Sequence, residues 1–416
     1  MSFESVLERH LWNDVTARID GAARRDVERA LFTEGRRSFD DFLALVSPAA
    51  REYLPRMAEE SQRITQRRFG KTIQLYAPIY LSNECQNICT YCGFSFHNKI
   101  ERKTLTDDEI LAEIEVIKSH GYDHILLVSG EAQKTVGSDY FERAVRLIRP
   151  HFSHISLEVQ PLEEAEYRRL MDAGVQTVLV YQETYNRDRY KSYHPKGKKS
   201  NFSYRLDTPE RLGRAGIYKI GLGALLGLEE WRTDTAFVAL HLEYLRKTYW
   251  RTKYSISFPR LRPAEGYLEP NVVMTDRDLV QLICAFRLFD ENVELSLSTR
   301  ERPKFRDHAV KLGVTSMSAG SKTEPGGYAK PREALAQFEI SDERTPAEVA
   351  AMIAAQGYEP VWKDWDPVLE GAQNSLPPES RRSAVVEGPT QSGRGDGSGA
   401  SAVGQSPTLQ QGEMNR

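Results

Sequence analysis

From about residue 72 to 357 the chain alternates short apolar runs with amphipathic stretches. The apolar runs read as strands at 73–82 (IQLYAPIYLS), 124–130 (HILLVSG), 154–160 (HISLEVQ), 177–183 (TVLVYQE), 218–227 (YKIGLGALLG), 254–263 (YSISFPRLRP), 293–301 (VELSLSTRE) and 314–321 (VTSMSAGS). Runs of this kind suit strands buried on both faces. Between most of them the apolar spacing becomes helical, and several helices have sharp starts. Thr106-Asp-Asp-Glu109, Thr275-Asp-Arg-Asp278 and Thr345-Pro-Ala-Glu348 each offer a hydroxyl to the third helical amide and a carboxylate that returns to the cap amide. Eight strand–helix units in succession predict an α/β fold of parallel strands with right-handed crossovers. Eight is also the number that closes a (β/α)8 TIM barrel.

Residues 1–71 predict an N-terminal helical extension. Ser38-Phe-Asp-Asp41 is a capping box with aspartate in the acidic position, and Ser47-Pro48 is a cap followed by a first-turn proline. The barrel, with a C-terminal helical cap, is expected over 72–375, closing where Trp362 and Trp365 can pack. The tail from 376 to 416 differs in kind. Residues 377–416 hold 17 glycines, prolines and serines and no aromatic residue. Such a segment buries too little apolar surface to offset its ordering entropy, so it is expected to be disordered.

Of the 416 residues, 40% are hydrophobic and 28% charged, enough apolar material for a large core. A formal net charge of −3 gives no support for nucleic acid as a partner. No apolar run reaches the roughly 18 residues of a spanning helix, so no membrane is expected. The start, MSFESVLERHLWND, is charged from Glu4 onward and lacks the apolar centre of a secretory signal. A cytoplasmic, reducing location follows as the expectation, in which thiols stay available as ligands.

That matters because three of the four cysteines, Cys85, Cys89 and Cys92, fall within eight residues as C-x3-C-x2-C. Thiolates at this density hold metals, iron–sulfur clusters among them. A closed zinc site needs four ligands, and no fourth with fitting spacing is evident. Three ligands leave one iron of a cubane cluster open to a substrate or cofactor. Cys284 lies in a helical pattern, DLVQLICAFRLF, and reads as a core residue.

In a parallel α/β barrel the active site forms at the carboxyl ends of the strands. The unusual polar motifs all fall there: the cysteine loop after the first strand, Ser129-Gly130-Glu131 after the second, and Glu158 and Gln160 at the third. The fourth ends in Gln182-Glu183-Thr184-Tyr185, the sixth in Pro259-Arg260-Leu261-Arg262-Pro263, the seventh in Ser298-Thr299-Arg300-Glu301, and the eighth in Ser318-Ala-Gly-Ser321.

The cysteine motif, with Tyr91 just before the third ligand, resembles that of the radical S-adenosylmethionine (SAM) enzymes, and Gly130-Glu131 resembles their strand-2 motif. TYCGFSFHNKIERKTL, VSGEAQKTVG, VYQETYN, YHPKGKKSNF, ISFPRLRP, LSLSTRE, TSMSAGSKTEPGGY and VWKDWD together resemble the aromatic amino acid lyases of that superfamily. The closest likeness is to the tyrosine lyases of thiamine thiazole biosynthesis, the 2-iminoacetate synthase family, over roughly residues 50–368. The resemblance implies a 4Fe–4S cluster on Cys85, Cys89 and Cys92. It implies SAM on the open iron, with a 5′-deoxyadenosyl radical formed by one-electron cleavage. It further implies scission of the Cα–Cβ bond of L-tyrosine to 2-iminoacetate and p-cresol.

By the same resemblance Gly130 and Glu131 lie along the methionine end of SAM; YRLDTPERLGRAGI resembles the stretch after strand 4 in biotin synthase, which implies that Arg205 meets the SAM carboxylate. Glu183 meets the ribose and Tyr91 the adenine. Gly221, Gly223 and Gly227 either open space for the adenine or serve tight barrel packing. Arg300 binds the tyrosine carboxylate and so points the amine at the radical; Ser318, with Ser321 behind it, adds a hydrogen bond. Lys196, Lys198 and Lys199 read as a solvated surface loop, with a lid or partner surface as the alternative. Thiazole synthase, as acceptor of 2-iminoacetate, and a flavodoxin- or ferredoxin-type electron donor are implied by the family alone. The tyrosine lyase of hydrogenase cofactor maturation shares the first reaction but needs a second, C-terminal cluster, and no cysteine follows Cys284. A tryptophan lyase of the same superfamily, and from another class a noncatalytic iron–sulfur scaffold or electron carrier, remain as alternatives.

Overall fold

The computed structural model describes residues 2–266, 268–331 and 336–363. Two compact units divide the chain, Met1–Leu369 and Glu370–Arg416. The second, and with it Trp365 and the tail expected to be disordered, lies outside the described residues.

Eight parallel strands close the barrel: β1 (Thr72–Ser82), β2 (His124–Ser129), β3 (His154–Glu158), β4 (Thr177–Leu179), β5 (Lys219–Leu222), β6 (Lys253–Ser257), β7 (Glu294–Leu297) and β8 (Ser316–Ser318). β1 completes the circle because it is long enough to serve two neighbours. Its first half pairs with β8 (Gln74 to Ser316, Tyr76 to Ser318), and its second half pairs with β2 (Ala77 to Ile125, Tyr80 to Val128). Most strands stop short of the apolar runs that predict them. β4 ends at Leu179 rather than 183, and beyond it Glu183 keeps only an isolated bridge to Ala224. A ninth strand, β9 (Glu359–Val361), pairs with Thr72–Gln74 of β1 and has no counterpart in the apolar pattern. Two of its residues are only half-buried and one is exposed, so little hydrophobic signal marks it.

The helix starts obey the capping chemistry of the sequence. Ser38, Thr106, Thr275 and Thr345 all form capping boxes with the acid three residues on. The N-terminal extension comprises α1 (Phe3–Leu7), α2 (Trp12–Asp20), α3 (Arg24–Phe32), α4 (Phe39–Val46) and α5 (Leu54–Phe69). It packs on the two barrel helices Trp231–Thr248 and Asp276–Phe289. α4 presents Phe42 to Phe286 and Phe289, with ring centroids 4.9 and 5.2 Å apart. Cys284 is fully buried in the same helix and its thiol reaches the Leu312 carbonyl, as a core cysteine should. Trp362 closes the described chain edge-on against Tyr122 at 5.1 Å. No helix among the described residues is long and apolar enough to cross a membrane.

Candidate active site

The cysteines lie on the loop that leaves β1, and that loop is held by a dense set of backbone bonds. The amides of Gln86, Ile88 and Thr90 donate to the carbonyls of Glu131, Lys196 and Tyr193, which ties the loop to the strand-2 end and to the segment before Lys199. Arg102 completes it from below. Its guanidinium donates to the carbonyls of Asn83, Phe94, Ser95 and Asn98 at 2.7–3.3 Å. One fork satisfying four carbonyls replaces the regular structure that the loop lacks. Gly130 is also required by the cysteine loop: a Cβ there would stand 2.1 Å from the Glu84 carbonyl oxygen. Strand 2 and the cysteine loop touch backbone to backbone only because the position is glycine.

Cys85, Cys89 and Cys92 are unpaired thiols that line one cavity together with Gly130, Glu131 and Glu183. Three cysteine thiols on one short loop are a donor set that would hold an iron–sulfur cluster. Burial raises all three thiols, Cys85 to about 11, so binding iron must displace their protons.

Beside the cysteines sits a buried network of two acids and two cations. Arg205 meets Glu131 at 2.8 Å and Glu183 at 3.6 Å; Lys199 meets Glu183 at 2.7 Å and Glu131 at 3.9 Å. Asn87 adds a bond to the second oxygen of Glu131 at 2.7 Å. Burial opposes ionisation of both acids, but the Arg205 and Lys199 charges outweigh it and hold both carboxyls below their usual range. Burial and the neighbouring Arg205 disfavour the Lys199 charge, and Glu183 and Glu131 more than restore it. The expectation of a solvated loop is therefore wrong for Lys199, although Lys196 and Lys198 are exposed. The Lys199 amide donates to Asn87 Oδ1 at 3.0 Å, which draws the residue under the loop. Nothing in the local pattern HPKGKKSN separates the buried lysine from its exposed neighbours.

Glu183 is held in an unusual backbone conformation, φ 71°, and among the described residues it is the one non-glycine at positive φ. Asp234 enforces it from the helix behind, accepting from the Tyr185 amide at 2.7 Å and the Thr184 hydroxyl at 3.0 Å. Buried there, the Asp234 carboxyl is pushed up to about 8. Tyr91 is fixed by a 2.8 Å bond between its hydroxyl and His194 Nε2, with the Lys199 ammonium 5.7 Å over its ring. Gly221 and Gly223 serve packing, since a Cβ would meet Leu179 at 2.6 Å and the Ser257 carbonyl at 2.9 Å respectively.

A second cavity of about 160 Å³ adjoins the first and shares Cys92, Glu158, Tyr181, Glu183, Lys199 and Gln337 as common wall. Arg300 lines it, from the β7 end. Its guanidinium lies over the Phe338 ring, 3.4 Å from the centroid, and donates to the Arg260 carbonyl at 3.4 Å. Neither Glu301 nor Glu183 pairs with it: Glu301 turns away to Arg260 and Arg262. Ser318 and Ser321 both line this cavity. The Ser318 hydroxyl already accepts the Thr299 amide at 3.2 Å, whereas Ser321 Oγ is buried without a hydrogen-bond partner among the described residues. Glu158 stands on the common wall, and burial pushes its carboxyl up to about 7 although the Arg300 charge pulls the other way.

Comparison with known proteins matches two family models. Residues 79–237 fit the radical SAM superfamily, and residues 257–359 fit the Biotin and Thiamin Synthesis associated domain. The chain is 52% identical over 366 residues to the 2-iminoacetate synthase of Escherichia coli, covering 88% of this chain and 97% of that one. It is also 52% identical over 365 residues to the 2-iminoacetate synthase of Salmonella typhimurium, with the same coverage. Among solved structures, HydG, a maturase of the FeFe-hydrogenase, superposes with a TM-score of 0.76 at 30% identity, covering 86% of this chain and 78% of HydG.

Proposed function

The chain belongs to the 2-iminoacetate synthase family of radical SAM enzymes, and we propose that it cleaves the Cα–Cβ bond of L-tyrosine to 2-iminoacetate and p-cresol. The observation that carries the reading is the pair of adjoining cavities, one lined by Cys85, Cys89 and Cys92, the other by Arg300, with a common wall. A bound cluster and SAM would supply the 5′-deoxyadenosyl radical that removes a hydrogen from the substrate amine, releasing methionine and 5′-deoxyadenosine.

The protein's part in this proposal is to hold, orient and exclude water. Cys85, Cys89 and Cys92 carry the cluster. Gly130, Glu131, Glu183, Arg205 and Tyr91 wall the SAM site. Because Glu131 and Arg205 already pair, their charges are presented in fixed places rather than reorganised at binding. Arg300 takes the tyrosine carboxylate through its planar fork. The hydrogen bond expected of Ser318 falls more naturally to Ser321, whose hydroxyl is free for it. Iminoacetate hydrolyses in water, so a closed site and an acceptor such as thiazole synthase fit the chemistry. A flavodoxin- or ferredoxin-type donor and a cytoplasmic location complete the reading.

The test is anaerobic reconstitution with iron and sulfide, then dithionite, SAM and tyrosine, with p-cresol and 5′-deoxyadenosine measured. Absence of p-cresol from fully loaded protein would overturn the assignment. Cys85→Ala, Cys89→Ala or Cys92→Ala is expected to lose the cluster and all turnover. Iron content equal to wild type in any of them would remove that residue from the ligand set.

A further inference from the structure

Glu158 ends β3, and its side chain lines both cavities at once. It is the acid of the site that no cation has claimed: among the described residues it makes no ion pair, whereas Glu131 and Glu183 are bound to Arg205 and Lys199. The groups that face it are Tyr76 and Tyr80 from β1, Tyr181 and Glu183 from the segment after β4, Lys199, and Arg300 from the β7 end. The Tyr181 hydroxyl donates to Ser257 Oγ at 3.0 Å, lines the same two cavities as Glu158 and favours its charged form. A guanidinium and an unclaimed carboxylate on the wall of one cavity complement the two charges of an α-amino acid zwitterion.

The reaction imposes a further demand. A nitrogen radical is stabilised by its lone pair, and an ammonium nitrogen has none, so the substrate must give up a proton before its N–H hydrogen is taken. Resting on the lyase reading above, we propose that Glu158 receives the tyrosine ammonium group opposite Arg300 and accepts its proton. The step is R–NH3+ plus Glu158 carboxylate to R–NH2 plus Glu158 carboxylic acid; no electron moves and no other reactant is needed. A half-buried carboxyl pushed up to about 7 suits this exchange, since a strongly acidic one would leave the proton on nitrogen.

The experiment uses reconstituted holoenzyme and the variants Glu158→Gln and Glu158→Asp. SAM affinity, tyrosine affinity and proton release on tyrosine binding are measured by calorimetry in buffers of different ionisation enthalpy, beside the pH profile of p-cresol formation. Wild type should release about one proton per tyrosine well below pH 7, where Glu158 enters protonated, and none well above it. Its turnover should fall as pH drops through the same range. Glu158→Gln should lose the pH dependence of proton release, keep SAM affinity, and slow turnover about 100-fold or more. Glu158→Asp should recover part of that rate. The proposal is overturned if Glu158→Gln turns over within about threefold of wild type with the acid limb intact, or if it loses SAM affinity, which would place Glu158 on the cofactor. A wild type that forms no p-cresol would sink the lyase reading instead, while the proton count on tyrosine binding still decides the role of Glu158.

Discussion

On the cysteine side of the barrel mouth, Glu131, Glu183, Lys199 and Arg205 stand within 4 Å of one another in pairs, each acid answered by a cation. On the β7–β8 side, among the described residues, Arg300 has an aromatic ring and a carbonyl but no carboxylate, and Ser321 Oγ has no partner. Both sides are buried or half-buried, so both have lost much of their water. The first has recovered the loss within the protein and is rigid before any ligand arrives. The second recovers it only when something with a carboxylate and hydrogen-bonding groups enters. A site for a recurrent cofactor can be prebuilt in this way, while a site for a consumed substrate gains selectivity by leaving its polar groups unanswered.

If this contrast is sound, mutations on the two sides should separate stability from catalysis. The largest structural effect is expected from Arg205→Ala, which leaves Glu131 buried with its nearest cation gone. Removing one partner of a buried pair costs about 3–5 kcal/mol, so the melting temperature should fall by several degrees even without ligands. An unchanged melting temperature would show that the network is not holding the fold. Arg300→Lys should do the reverse. It keeps the charge but loses the bidentate fork, so the apparent KM for tyrosine should rise roughly tenfold with stability within about 1 kcal/mol of wild type. Unaltered tyrosine kinetics would take Arg300 out of the substrate site.

A smaller effect distinguishes the two serines. Ser321→Ala should raise the tyrosine KM by about fivefold, the worth of one hydrogen bond near 1 kcal/mol, and leave the melting temperature alone. Ser318→Ala should lower the melting temperature by a similar free energy, because the Thr299 amide loses its acceptor. Exchange of these outcomes would reverse the assignment. The smallest effect concerns the support behind Glu183. The Asp234 carboxyl titrates higher in the folded protein, about 8, than in the unfolded chain. A raised folded value contributes stability at low pH that is lost as pH rises, here between about 4 and about 8. Asp234→Asn should flatten the melting temperature over that window; an unchanged slope would mean that Asp234 is not the group responsible.

The legibility of the molecule in its sequence follows the range of the forces involved. Capping boxes at Ser38, Thr106, Thr275 and Thr345 are local exchanges between a side chain and an amide three residues away, so the reading locates those helix starts. The eight barrel strands are written in continuous apolar runs. β9 is not, because its pairing with Thr72–Gln74 rests on backbone bonds rather than burial. Lys199 is misread for a similar reason. Its partners Glu183 and Glu131 lie 16 and 68 positions away along the chain, and its exposed neighbours share its residue type.

By itself the sequence determined the parallel barrel, the cysteine triplet on the loop after the first strand, and the collection of polar motifs at the strand ends. These follow from periodicity, from the reach of a few residues, and from the fixed relation between barrel strands and their loops. Only the tertiary structure decided which charges answer one another. Among the described residues Glu131 and Glu183 are paired with cations, Glu158 and Arg300 make no ion pair, and Ser318 accepts the Thr299 amide while Ser321 Oγ has no partner. Electrostatic and hydrogen-bond partnership depends on distances of a few ångströms between groups far apart in the chain. Closing the barrel sets those distances.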